Sequence, residues 1–304
     1  MPHFFSVFFA CLYHKYFSSK IEQLFEAFLG IDEHADRKRM IKSIKLFFIK
    51  KFIINNYSFI YQIILKDKQM SYLILVRHGQ SVWNLEKKFT GWVDVDLTEN
   101  GKLEAKKAGQ LIKQKQIEIN LYYSSFQLRA KNTLQIIQKE LGDFKDVKSA
   151  WELNERHYGA LTGLNKDEMK KKLGDEKVHQ FRRSWDLRPD PLDKKNPYHP
   201  LNIKTYKEIP IEKIPDTESL KDTYERVIKF YGEEIENKLS ENILISAHGN
   251  SIRALCKYLF NLDNNEISKL EIPTGNPLII ELENRKITNC KYLDQQRAKD
   301  LLVF

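Results

Sequence analysis

Two histidines of this chain stand in matched surroundings. Leu73-Ile-Leu-Val-Arg-His-Gly79 and Ile243-Leu-Ile-Ser-Ala-His-Gly249 each pass from an apolar run into His-Gly, and each is followed by a segment of helical character. An imidazole in that position can act as a nucleophile if one ring nitrogen is unprotonated and the other donates to a fixed acceptor. The neighbouring cations point to phosphorus as the electrophile. Arg77, Arg129, Arg182 and Arg183 fall near expected element ends, and a guanidinium fork matches two phosphate oxygens at once. Taken singly, each histidine is an ordinary strand-end residue and each arginine a solvated charge. Arg182-Arg183 reads equally well as the exposed face of a helix. A metal site is the rival use of the histidines; neither has a carboxylate or third histidine at ligand spacing, so no metal is expected.

An α/β framework must position these groups. Residues 72–76, 121–124, 146–150, 242–246 and 277–282 read as strands. Helices are expected at about 98–114, 126–141 (ended by Gly142), 166–173, 176–185 and 251–259, and along the stripe Leu220, Tyr224, Val227, Ile228, Tyr231, Ile235, Leu239. The alternation predicts a three-layer α/β/α fold around a mostly parallel sheet. Ligands of such sheets bind beyond the carboxyl ends of the strands. His78 and His248 would meet there if their strands are neighbours. Gly79 and Gly249 are expected to permit a sharp turn and close approach to a ligand, and the helix N-termini behind them to offer N–H groups to an anion. Residues 186–215 hold six prolines; so long a loop reads as a lid or binding wall.

The formal net charge is +9 over 304 residues. Residues 1–70 carry +5 of it, with 15 of the 36 aromatic residues but only Gly30 and Pro2 of their types. Residues 71–304 therefore carry +4, too little for a nucleic-acid module without a stacking-aromatic stripe. In residues 1–70 the longest stretches free of Asp, Glu, Lys and Arg are 14 residues, short of the roughly 20 that a spanning helix needs. The composition favours a start read too far upstream, with Met70 as the true first residue. An amphipathic helix at 21–29 and the basic run 42–51 would touch a membrane only if the extension is retained. Three scattered cysteines argue against a disulfide framework and for a reducing compartment.

Residues 71–293 resemble the 2,3-bisphosphoglycerate-dependent phosphoglycerate mutases, a branch of the histidine phosphatase superfamily. The resemblance rests on Leu75-Val-Arg-His-Gly-Gln-Ser81, Trp83-Asn84, Phe89-Thr-Gly-Trp92, Asp94-Val-Asp-Leu97, Leu153-Asn-Glu-Arg-His-Tyr-Gly-Ala-Leu161, Gly163-Leu-Asn-Lys166, Arg182-Arg183, Ala247-His-Gly-Asn-Ser251, Arg253-Ala-Leu255 and Ile272-Pro-Thr-Gly275. It implies a histidine-phosphatase-like fold, cytoplasmic glycolytic or gluconeogenic chemistry on small phosphoglycerates, a homodimer or homotetramer, and 2,3-bisphosphoglycerate as primer with no metal. It also implies that His78 is the nucleophile, with Arg77, Arg129, His248 and Asn84 around the transferring phosphoryl group. Glu155 would be the general acid and base. Thr90, Gly91, Tyr158, Lys166, Arg182, Arg183, Gly249 and Asn250 would hold the rest of the substrate. Position alone also allows Glu155 to be a salt-bridge partner of Arg156, and His157 reads as a packing or hydrogen-bonding residue.

Three departures from the family pattern matter. Gln80 stands where Glu is usual. Gln127-Leu128 precedes Arg129 where Leu-Lys is common, which removes a positive charge. The tail after Tyr292 is short, so a phosphohistidine would be more open to water. A bisphosphoglycerate synthase/phosphatase, or a broader phosphatase on the same scaffold, is the alternative function.

Overall fold

The computed structural model describes residues 69–298. The readings made on residues 1–68, including the leader, the amphipathic helix and the basic run, lie outside the described residues, as does the end of the tail. Among the described residues no helix is long and apolar enough to cross a membrane.

A six-stranded sheet has the order β3-β2-β4-β1-β5-β6. Its strands are β1 (Met70–Arg77), β2 (Leu121–Ser124), β3 (Val147–Ser149), β4 (Ile243–Ala247), β5 (Leu278–Glu283) and β6 (Lys286–Tyr292). β3, β2, β4 and β1 run parallel; β5 is antiparallel to β1, and β6 to β5. The expected neighbourhood holds: β1 pairs directly with β4, with Arg77 opposite Ala247.

The helices are α1 (Val82–Leu85), α2 (Glu99–Lys113), α3 (Leu128–Leu141), α4 (Lys166–Leu173), α5 (Asp175–Arg183), α6 (Leu220–Glu234), α7 (Gly249–Leu259) and α8 (Asn264–Lys269). Their ends follow local chemistry. Thr98 caps α2 by accepting from Gly101 N, and Gly142 ends α3 in the left-handed region at φ 73°. Ser219 and Asp222 form a reciprocal capping box on α6.

The period-2 alternation of β1 divides the core. Leu73 and Leu75 pack with α6 and α7 residues such as Val227, Phe230, Ile252 and Leu255. Ile74 and Val76 pack with α2 and α3 residues such as Ala108, Ile112, Leu134 and Ile137. All four strand residues are essentially fully buried, and each such side chain contributes roughly 1.5–3 kcal/mol. Helices on both faces of one sheet are the expected three layers.

The structure adds a strand that the sequence pattern does not announce. β6 returns from β5 through Asn284-Arg285, both at positive φ (50° and 65°), the geometry of a two-residue hairpin. Its polar alternation, Lys-Ile-Thr-Asn-Cys-Lys-Tyr, fits an edge strand with one solvated face.

At Gly79 the structure shows a requirement that the sequence does not announce. Its φ is not positive, and a Cβ there would meet the Gly101 carbonyl oxygen at 2.1 Å. A Cβ on Gly101 would in turn meet Gln80 O at 2.0 Å. The two glycines let the chain after β1 cross the first turn of α2 in backbone contact. Gly249 is not at positive φ either; a Cβ there would lie 3.7 Å from the Arg77 guanidinium, an ordinary contact.

Candidate active site

At the carboxyl ends of β1 and β4 the rings of His78 and His248 lie 4.9 Å apart, tilted by 57°. His78 is 2% exposed, and its Nδ1 is 2.7 Å from its neighbour's carbonyl, Gly79 O. A carbonyl can only accept, so Nδ1 carries the proton and Nε2 keeps its lone pair. Arg129 Nε donates to that Nε2 at 3.3 Å. Burial above all, then Arg129 and Arg77, holds the His78 pKa well below the usual imidazole value; the Gly79 bond opposes this.

The remaining expected residues converge on one polar cavity of about 100 Å³. Its wall includes Arg77, His78, Asn84, Thr90, Gly91, Arg129, Glu155, Tyr158, Lys166, Arg182, Arg183, Gly249 and Asn250. His248, also expected here, is not part of that wall: it is fully buried beside His78, with Nε2 2.7 Å from Ser125 Oγ. Burial, then Arg129, lowers its pKa well below the usual value.

Fixed partners orient each cation. Arg129, 1% exposed, donates to Val93 O and Gly91 O at 2.9 Å each. Arg77 donates through Nη1 to Ile272 O at 2.7 Å, while its buried Nε has no partner. Thr90 Oγ1 is likewise buried without a partner. Lys166 Nζ donates to Lys88 O at 2.6 Å, and its pKa is pushed down to about 8 by burial first, then by Arg182 and Arg77, against Tyr158 and Glu155. Burial raises the Tyr158 pKa, but Arg156, Arg182 and Lys166 bring it below the ordinary phenol value. Arg183 is buried, whereas Arg182 is half-buried, so the pair is not simply a solvated helix face.

Glu155 makes no side-chain bridge to Arg156. The Arg156 guanidinium lies over the Tyr158 ring, 4.8 Å from its centroid, and donates to Phe181 O. Glu155 Oε1 instead accepts from Arg156 N at 2.8 Å, Asn250 N at 3.2 Å and Asn250 Nδ2 at 2.8 Å. The first turn of α7 thus gives an N–H to a carboxylate of the chain itself. Oε2 takes part in none of these bonds. His157 is fully buried and accepts from Gly159 N at 3.0 Å. This is the packing and hydrogen-bonding part expected of it.

Several residues of the site carried no signal that assigned them a part. Arg253 and Glu271 complete the cavity wall. Gln127 is fully buried; Nε2 donates to Gly91 O and Oε1 accepts from Glu155 N, both at 2.9 Å. The Gln127-Leu128 departure therefore adds a clamp between the Gly91 loop and the Glu155 segment, while Leu128 itself is 42% exposed. Arg226 of α6 forms a buried pair with Glu218 at 2.7 Å and donates to the carbonyls of Glu152, Asn154 and Glu155. Residues 186–215, expected as a lid or binding wall, contribute no side chain to the cavity wall and pack instead on segments that flank it: Tyr206 donates to Trp92 O, and Gly159 lies under Asp190 O, which accepts from Ala160 N at 2.7 Å.

Six cations, Arg77, Arg129, Lys166, Arg182, Arg183 and Arg253, against the carboxylates Glu155 and Glu271, suit a small ligand with several negative charges. Among the described residues no group of three or more His, Cys, Asp or Glu could hold a metal ion.

A doubly covered α/β sheet that brings a strand-end histidine into an arginine-lined pocket defines a class, and sequence comparison agrees. The chain belongs to the histidine phosphatase superfamily, branch 1, whose family model matches residues 73–199 and 194–294. Within it, the chain is similar to a protein of Pelagibacter ubique (strain HTCC1062) named 2,3-bisphosphoglycerate-dependent phosphoglycerate mutase. The two are 70% identical over 238 residues, covering 77% of this chain and 100% of the relative. A protein of the same name from Maricaulis maris (strain MCS10) is 46% identical over 237 residues, 76% of this chain and 98% of the relative. Solved structures share the fold at lower identity. A putative alpha-ribazole-5'-P phosphatase from Escherichia coli has a TM-score of 0.55 at 18% identity, covering 73% of this chain and 95% of that one. Bacillus stearothermophilus YhfR has 0.54 at 22%, covering 72% and 94%.

Proposed function

We propose that this chain interconverts 2-phosphoglycerate and 3-phosphoglycerate through a phosphohistidine on His78, loaded from 2,3-bisphosphoglycerate. The observation that carries this reading is the pairing of a nucleophile-ready His78 Nε2 with the Glu155 carboxylate in one cavity whose wall also holds Lys166, Arg182 and Arg183. A plain phosphatase needs only the nucleophile pocket. A mutase must also grip the other anionic end of its substrate and keep the intermediate.

The substrate hydroxyl attacks phosphorus on His78 Nε2; the P–N bond breaks as the P–O bond forms, and Glu155 takes the hydroxyl proton. In the return step Nε2 attacks the other phosphoryl group, that P–O bond breaks, and Glu155 returns the proton to the leaving oxygen. Arg77, Arg129 and Asn84, with His248 beside His78, stabilise the charge spread over the transferring oxygens. Thr90, Gly91, Tyr158, Lys166, Arg182, Arg183, Gly249 and Asn250 hold the carboxylate and the resting phosphate. 2,3-Bisphosphoglycerate supplies the phosphoryl group that first loads His78, and the excess of cations in the cavity suits its charge.

The same reading assigns residues 71–304 to the catalytic domain and 1–70 to a separate extension. It places the enzyme in the cytoplasm as a dimer or tetramer, with membrane contact only through the extension. His78→Ala is expected to lose both mutase activity and acid-labile phosphoenzyme; a variant that still cycles 3- to 2-phosphoglycerate overturns the assignment. The synthase/phosphatase alternative requires inorganic phosphate to appear as fast as the isomer. Assaying both products with and without 2,3-bisphosphoglycerate separates the two.

A further inference from the structure

Three cavity arginines hang from one strap of three residues between α8 and β5. Leu270 O accepts from Arg253 Nε at 2.6 Å and from Arg183 Nη1 at 3.4 Å. Ile272 O accepts from Arg77 Nη1 at 2.7 Å. Between them, Glu271 pairs through Oε1 with Arg183 Nη2, and its Oε2 lies 3.7 Å from Arg253 Nη2. The partners differ sharply in exposure: the side chains of Arg183 and Arg253 are 9% and 6% exposed, that of Glu271 64%.

Two guanidiniums on one carbonyl oxygen repel, and a carboxylate between them offsets the repulsion. A phosphate or carboxylate entering the cavity competes for the same N–H groups. Exposure decides which partner yields. The arginines are buried and anchored on backbone carbonyls, whereas the carboxylate can turn into water at little cost.

We propose that Glu271 is an affinity-setting residue, an exchangeable carboxylate that occupies the Arg183–Arg253 face of the cavity until one anionic end of the ligand displaces it. Its presence weakens binding and speeds release. The identity of the ligand rests on the phosphoglycerate reading above; the exchange itself does not.

The test is calorimetric titration of the full chain and of its Glu271→Gln variant, at fixed salt, with 3-phosphoglycerate and, separately, with inorganic phosphate. The variant keeps the shape of the side chain and removes its charge. It is expected to bind 3-phosphoglycerate about two- to fivefold more tightly, the scale of one displaced exposed ion pair, with KM falling in parallel and kcat not rising. Unchanged or weaker affinity overturns the proposal and makes Glu271 a strut for the arginines. If the unmodified chain binds 3-phosphoglycerate without isomerising it, the mutase reading fails while the exchange is still tested. If it does not bind it at all, the inorganic phosphate titration decides the exchange by the same comparison.

Discussion

Arg129 Nε donates to His78 Nε2, the nitrogen that the neighbouring Gly79 carbonyl leaves unprotonated. The same guanidinium is tied to Val93 and Gly91 carbonyls. The cation therefore lowers the ring's affinity for a proton and is held in a fixed orientation beside that nitrogen. Replacing Arg129 with Lys keeps a charge but loses the fork and its two carbonyl anchors. Phosphoenzyme formation in rapid-quench assays is expected to slow by about 10²–10³-fold, the usual scale for one lost charge-stabilising donor. A loss of less than threefold would show that Arg129 only packs the site.

Lys166 is held down to about 8 by burial and by neighbouring arginines. A bound anion favours the charged ammonium and raises that pKa, so binding takes up protons. At pH 8 uptake of about half a proton is expected, the fraction that a group titrating there leaves uncharged; near pH 6.5 Lys166 is already charged and contributes almost none. Calorimetry of 3-phosphoglycerate binding in buffers of different ionisation enthalpy reads this directly. Lys166→Met should remove the uptake at pH 8, and persistence of the full uptake would assign it to another group.

The Arg226–Glu218 pair is buried on both sides, and Arg226 also holds the carbonyls of Glu152, Asn154 and Glu155. Arg226→Met leaves Glu218 buried without its partner and should cost about 3–5 kcal/mol of stability in urea unfolding. Adding Glu218→Leu should recover much of that loss. Activity should stay low in the double variant, because the segment that presents Glu155 has lost its anchor. Full activity in a stable double variant would separate the clamp from Glu155 placement.

Gly79→Ala puts a methyl group 2.1 Å from Gly101 O, and neither backbone can yield alone. Overpacking of this kind costs about 1–3 kcal/mol or more. Gly232→Ala in α6 is the control, since its Cβ would meet only Glu236 Oε2 at 3.9 Å. It should be neutral or stabilising by up to about 1 kcal/mol. In thermal unfolding Gly79→Ala should lower Tm while Gly232→Ala leaves it unchanged or raises it.

The strand-end histidines were legible because their signal is local: an apolar run, His-Gly, and a helix lie within a few residues. The fold class followed from the same alternation. β6 was not legible, because an edge strand with one solvated face resembles a polar loop and its Asn284-Arg285 turn lacks the glycine that would mark it. The bonds of Gln127, Arg226 and Ser125 were not legible for another reason. Their partners are distant in sequence: Glu155 lies 28 residues from Gln127, and His248 lies 123 residues from Ser125. A bond to a backbone carbonyl also leaves no residue-type pattern at the far end. The backbone crossing at Gly79 was not legible either, since Gly101 is an unremarkable helix residue until the crossing is seen.

The position of β1 has a consequence during synthesis. It is the first strand of the sheet in chain order, yet both of its partners, β4 and β5, come after residue 240. The apolar run 73–76 therefore leaves the ribosome with neither ladder neighbour yet made, an unpaired edge on a growing chain. The two halves of the pocket cannot meet before β4 and the start of α7 have emerged, so the nascent protein stays chemically silent for most of its translation and acquires its site near the end.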